Sequence, residues 1–238
     1  MQLLQKHYDA LKVLGQSNQP WAGGKLLSYA HSVARERRDC QFALLPDKPV
    51  DREFLFSMAA SDEASTLTCC VAIFAWGGMR RDHARAVLGT ADKWLPIAEA
   101  IRRQQIGRKD AYSRFMQARQ SKNLPGMGPA FFTKLIYFFG EKSNSRGYIM
   151  DQWTALSANL LIGRPLVEMQ SLKNAARVSD NNSADVYDEF CNFIEALGKE
   201  LNESADKAEM RIFSVGGRGE KQGKWRAYLK QHAAEIGL

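Results

Sequence analysis

Between Leu124 and Gly140 the chain reads LPGMGPAFFTKLIYFFG, and the glycines, the proline and the lysine of that stretch could all serve chemistry. Gly126 and Gly128 bracket one apolar residue, which permits a sharp turn and lets the backbone come close to whatever lies outside. Pro129 suits the first turn of the helix that follows, where its missing N–H costs nothing. The start of such a helix offers free N–H groups and the positive end of the helix dipole, a natural seat for a phosphate. Contacts of that kind position a nucleic acid without reading its sequence. Lys134 is the lone charge among Phe131, Phe132, Leu135, Ile136, Tyr137, Phe138 and Phe139. Apolar surroundings desolvate an ammonium and lower its pKa toward that of a usable nucleophile. A lysine so placed can also lay its stem along the apolar surface and keep its head in water.

A polar, amphipathic helix precedes the turn, and after the apolar helix come a loop and the segment Tyr148-Ile-Met-Asp151-Gln-Trp-Thr-Ala-Leu. The helix–LPGxG–helix pattern resembles the helix-hairpin-helix of DNA repair proteins. Together with the downstream aspartate it resembles the helix-hairpin-helix–GPD superfamily of DNA glycosylases. The wording GMGPAFFTK, and FAWGGMRRDHAR upstream, is similar to bacterial proteins with the 8-oxoguanine DNA glycosylase fold. The resemblance covers residues 110–162, with weaker support over 61–88, and touches neither the first sixty residues nor the last seventy-five.

That resemblance implies an all-α or mostly α fold, with two helical lobes and a DNA-binding cleft between them. It implies excision of an oxidised or modified purine such as 8-oxoguanine from double-stranded DNA. Breaking an N-glycosidic bond builds positive charge on the sugar, which a nearby carboxylate stabilises. Asp151, at the start of the helix after the hairpin, is the carboxylate the family pattern selects, although an aspartate there can also be an ordinary N-cap. A bifunctional glycosylase adds an amine that attacks the sugar and opens a lyase route, and Lys134 is the candidate. The family lysine follows the Gly-x-Gly-x turn directly, and that position here is Ala130. A displaced lysine one helical turn on, a monofunctional enzyme resting on Asp151, and a structural Lys134 all stay open. Gly126, Gly128, Lys122, Arg80 and Arg81 are the expected DNA-backbone contacts. A flipped base needs apolar or aromatic walls; Trp76, before Gly77-Gly78, and Trp21, in a Pro/Gly-rich stretch, are candidates, although tryptophans are more often core. Two rivals stand beside this reading: a non-catalytic helix-hairpin-helix DNA-binding module, and an enzyme of the same fold acting on another modified nucleobase in bacterial defence.

These residues need a scaffold, and most readable segments are helical. Apolar spacing predicts helices over Leu3–Leu14, Leu26–Arg38, Ser61–Trp76, Arg81–Leu88, Asp92–Gln105, Asp110–Gln120, Ser183–Leu201 and Lys224–Ile236. Asp39–Pro49 reads as a strand or an extended loop. No repeat or long linker divides the 238 residues, so a single glycosylase-like fold over 1–238 is expected. Residues 61–162 would form one lobe, with the helix-hairpin-helix at 110–139, and residues 1–60 and 163–238 the other.

Net charge is +7, yet Asp180 to Glu209 holds nine acidic residues against two lysines, so the remainder carries +14. A basic face for a polyanionic partner follows. The longest apolar stretch, Leu67–Trp76, is too short to span a bilayer, and the first residues lack signal-peptide features, so a cytoplasmic, nucleoid-associated monomer is expected. Cys40, Cys69, Cys70 and Cys191 show no metal-ligand spacing and read as buried, reduced thiols. The four closely spaced cysteines of iron–sulfur relatives are absent. No cofactor and no metal are expected.

Overall fold

A computed structural model of the chain describes residues 3–17, 23–140, 146–172, 175–214 and 223–236. It is mostly α: twelve α-helices and one two-stranded sheet among those residues, in two compact units. One unit comprises Ala22–Gly147; the other joins Met1–Trp21 to Tyr148–Leu238. Among the described residues no helix is long and apolar enough to cross a membrane.

The unit Ala22–Gly147 contains α2 (Leu26–Val33), α3 (Arg52–Ala60), α4 (Thr66–Trp76), α5 (Arg81–Leu88), α6 (Ala91–Arg102), α7 (Arg108–Gln120) and α8 (Pro129–Phe139). Helix α4 is apolar on every side, and Leu67 through Trp76 are all buried; such a helix must be wrapped rather than laid on a surface. Helices α2, α3, α6 and α8 wrap it. Ser65 caps its start by accepting from the Thr68 amide. Arg102, in the last turn of α6, donates to the carbonyls of Ala59, Ser61 and Ala64, satisfying the end of α3 and the link into α4. The expected strand or loop at Asp39–Pro49 contains a 3₁₀ turn, Phe42–Leu44. Helix α3 was not foreseen as an element: the apolar pattern of Arg52–Ala60 is short and lies against the stronger one of α4.

The other unit contains α1 (Gln5–Leu14), α9 (Gln152–Ile162), an antiparallel pair β1 (Met169–Leu172) and β2 (Ala175–Val178), α10 (Ala184–Glu200), α11 (Ala205–Phe213) and α12 (Lys224–Gln231), then a 3₁₀ turn Ala233–Ile236. The strands pair Met169 with Val178 and Leu172 with Ala175. Helix α9 is the hub, touching α1, α10, α11, α12 and both strands. Gly163 ends it in the left-handed conformation, φ 74°, as glycine does most cheaply. Inside, Asn159 holds both backbone groups of Val167, and the Ser157 hydroxyl lies 2.7 Å from the Trp153 carbonyl and 2.9 Å from that of Ile212. The same hydroxyl accepts from the Trp225 indole N–H at 2.9 Å, which ties α9, α11 and α12 at one atom.

The four cysteines are free and buried, as their spacing suggests. Burial raises the Cys40 and Cys69 thiols to about 11, so both stay protonated and inert at neutral pH.

Ser157→Ala should lower stability by about 1–3 kcal/mol, because the fully buried Trp225 N–H loses its acceptor. Urea unfolding is expected to show a lower midpoint with an unchanged slope. An unmoved midpoint would mean that the indole finds another acceptor.

Candidate active site

The turn between α7 and α8 is built from two buried anchors and two exposed bends. Leu124 and Met127 point into the core, while Gly126 is exposed at φ 75° and Lys122 takes φ 59° at the end of α7. The Asn123 amide donates back to the Ala118 carbonyl at 2.8 Å, closing α7, and Arg119 donates to the Met127 carbonyl at 3.2 Å. Gly128 stands at the N-cap of α8 in extended conformation, with Pro129 at the first helical position. Glycine has no side chain with which to cap, so α8 begins as a bare helix N-terminus of the anion-accepting kind. A Cβ on Gly126 would sit 3.2 Å from the Cα of His83, which places the turn against the first turns of α5. Arg80 and Arg81 open α5 and are exposed. Arg80 chelates Asp82 at 3.1 and 2.7 Å, and Arg81 donates to the Ser32 hydroxyl at 2.9 Å.

Lys134 is buried within α8. Its Nζ lies 2.5 Å from the carbonyl of Ala130, the residue at the family lysine's position, and 5.1 Å from the centre of the Phe131 ring. Its stem runs against α4's C-cap: a Cβ on Gly77 would come within 2.9 Å of Lys134 Cδ. Gly77 therefore leaves the room that the lysine stem fills. Trp76, beside it, is buried, edge-on to Phe138 at 5.1 Å, with the Arg52 guanidinium 5.4 Å from its ring. Trp21 lies outside the described residues.

Asp151 belongs to the other unit. It is the N-cap of α9 in a capping box: Oδ1 accepts from the amides of Trp153 at 2.8 Å and Thr154 at 3.2 Å, while the Thr154 hydroxyl accepts from the Asp151 amide at 3.0 Å. Every bond to the Asp151 carboxylate falls on Oδ1, and among the described residues Oδ2 accepts none. The carboxylate is half-buried.

Close to it stands a residue that sequence reasoning did not single out. Arg226, on α12, is buried, with its guanidinium 4.6 Å from the Trp153 ring and 4.4 Å from the Phe213 ring. It donates to the Phe213 and Ser214 carbonyls at 2.9 and 3.4 Å. Burial pulls its pKa below the usual arginine value, and the Asp151 carboxylate pushes the other way. Arginine stays charged regardless, so Asp151 has a fixed cation in its field. In the sequence Arg226 is one of several basic residues between Arg218 and Arg226, and only the fold separates it from them.

A family model described as "Putative 8-oxoguanine DNA glycosylase OGG-like protein" matches residues 24–213. The chain belongs to this OGG-like family. The match runs from before α2 to the end of α11, so it includes the hairpin, Lys134 and Asp151 and leaves out α1, α12 and Arg226. No curated protein and no solved structure matches the chain. Membership in the OGG-like family makes this a DNA glycosylase-like protein, a class whose substrate is DNA.

Gly126→Ala should cost about 1–2 kcal/mol, since an alanine resists positive φ and its methyl meets the His83 backbone. Affinity for a duplex should fall, while the slope of log affinity against log salt stays the same because no cation is removed. A changed slope would mean that the turn acts by displacing Lys122, Arg80 or Arg81 rather than through its backbone.

Proposed function

We propose that the protein is a DNA glycosylase that excises an oxidised purine such as 8-oxoguanine from double-stranded DNA, with Asp151 stabilising the charge that develops on the sugar. The observation that carries this reading is the division of labour between the two oxygens of Asp151: Oδ1 is occupied by the α9 cap and Oδ2 accepts no hydrogen bond among the described residues. Capping fixes the carboxylate in place and leaves an acceptor for a developing oxocarbenium charge. The buried Arg226 guanidinium sets a permanent cation in the field of this carboxylate. The family match supports the glycosylase chemistry and the oxidised purine.

Lys134 is the amine of the proposed lyase step. After losing a proton it attacks C1′ and displaces the base; the C1′–O4′ bond then opens, the ring oxygen taking up a proton as the nitrogen loses its own, and the imine so formed permits elimination of the 3′ phosphate. Its buried stem, held by the space at Gly77, supports a lysine placed for a purpose; its bond to the Ala130 carbonyl must open before it can react. The hairpin, with Gly126, Gly128 and Lys122, and the start of α5, with Arg80 and Arg81, would hold the DNA backbone.

A panel of duplexes carrying single modified bases tests the assignment. Asp151→Asn should leave the melting temperature close to that of the parent, because asparagine caps as well as aspartate. Base release should fall by about 10²–10³-fold, the usual worth of one electrostatic group. Early melting with normal release would make Asp151 a cap and nothing more.

Borohydride should trap a covalent protein–DNA adduct in the parent and not in Lys134→Gln. Base release without any adduct would leave a monofunctional enzyme, and an adduct that survives the substitution would place the nucleophile elsewhere. A protein that binds duplex but releases no base from any lesion would be a non-catalytic DNA-binding module.

A further inference from the structure

His7 lies on α1, His232 caps the end of α12, and Glu235 sits in the 3₁₀ turn that follows; a ligand atom from each falls within 4.8 Å of the other two. Glu235 presents one oxygen to each ring: Oε2 is 3.0 Å from His7 Nε2, and Oε1 is 2.5 Å from His232 Nδ1. The other nitrogen of His7, Nδ1, lies 2.9 Å from the Tyr228 hydroxyl. That hydroxyl fixes which face of the imidazole is turned toward the carboxylate, as the outer partners of metal-bound histidines do. His7 is buried, His232 is half-buried against the Tyr228 ring at 4.2 Å, and Glu235 is exposed, so the group opens to solvent on the side of Glu235.

We propose that His7, His232 and Glu235 form a binding site for a divalent transition metal of the zinc type. Two imidazole nitrogens and a carboxylate oxygen are the donors that such an ion takes, and three protein ligands leave a position for water on the open side. Bonds of about 2.0–2.1 Å in a tetrahedron set neighbouring ligand atoms about 3.3 Å apart; the two histidine–carboxylate separations, 3.0 and 2.5 Å, lie just under that spacing, and all three ligand atoms fall within 4.8 Å of one another. Lys6 is the competitor: its ammonium is 3.3 Å from Glu235 Oε1, but its side chain is exposed and can turn away.

All three ligands lie outside the stretch that matches the OGG-like family, so this site belongs to the chain's own first and last segments. A bound ion would pin the end of α12 and the turn after it to α1, in the same unit as Asp151. It is independent of the glycosylase assignment.

Titration of the metal-free full chain with zinc chloride in a calorimeter should give saturable binding of one ion per chain, and Co²⁺ should give visible ligand-field bands that zinc abolishes. Glu235→Gln and His232→Gln, at the less buried ligands, should each weaken zinc at least tenfold while leaving the far-UV circular dichroism unchanged. Tyr228→Phe, which touches no ligand atom of the ion, should weaken it about 10–100-fold. Zinc should raise the melting temperature of the parent and not of Glu235→Gln. No saturable binding, or affinity unchanged in Glu235→Gln and His232→Gln, would overturn the site and leave a carboxylate hydrogen-bonded between two histidines.

Discussion

A single turn of backbone, where Asp151 opens α9, carries much of the organisation of its unit. The side chain of Asp151 takes the Trp153 and Thr154 amides and Thr154 returns a bond to the Asp151 amide, so the start of the helix is closed from both directions. Helix α9 then runs through the middle of its unit, with Ser157 and Asn159, both about two turns further along, gathering α11, α12 and the loop before β1. A hub buried on so many sides can hold its first turn in one place. A carboxylate on that turn inherits the same rigidity at no further entropic cost, the condition under which electrostatic stabilisation is effective.

In the other unit the corresponding constraint is the apolar helix α4. Because none of its faces can meet water, four helices must pack around it, and α8 is one of them. Where α4 and α8 meet, the lysine of α8 needs room for its stem, and the chain supplies it with a glycine at position 77. The hairpin turn follows the same logic. Leu124 and Met127 are drawn into the core and so push Gly126 outward, in a conformation that a larger residue resists. In both places the position of a functional candidate is set by what its apolar neighbours require.

Much of this was legible in the sequence. The 3.6-residue spacing of Leu3–Leu14, Arg81–Leu88 and Ser183–Leu201 is strong, and helices α1, α5 and α10 stand there within one or two residues. The mostly α class and the OGG-like family follow from the hairpin wording and the aspartate after it. What stayed hidden depends on long-range packing. The strands β1 and β2 are four residues each, too short to show a period, and α11 shares its acidic surroundings with the end of α10. Arg226 is one cation among many until α12 folds against Trp153. His7 and His232 stand at opposite ends of the chain, where no spacing rule could join them, and only the meeting of α1 with α12 brings them to Glu235.

The bond from Lys134 to the Ala130 carbonyl has a consequence for timing. An amine parked on its own helix, with its stem wedged at Gly77, has surrendered most of its rotamers before any DNA arrives. In the lyase step proposed above, such a group would behave as a latch with a closed resting position, its release a unimolecular event ahead of any covalent chemistry. Closed, the latch also keeps the amine away from stray electrophiles such as aldehydes, which attack primary amines left standing in solvent.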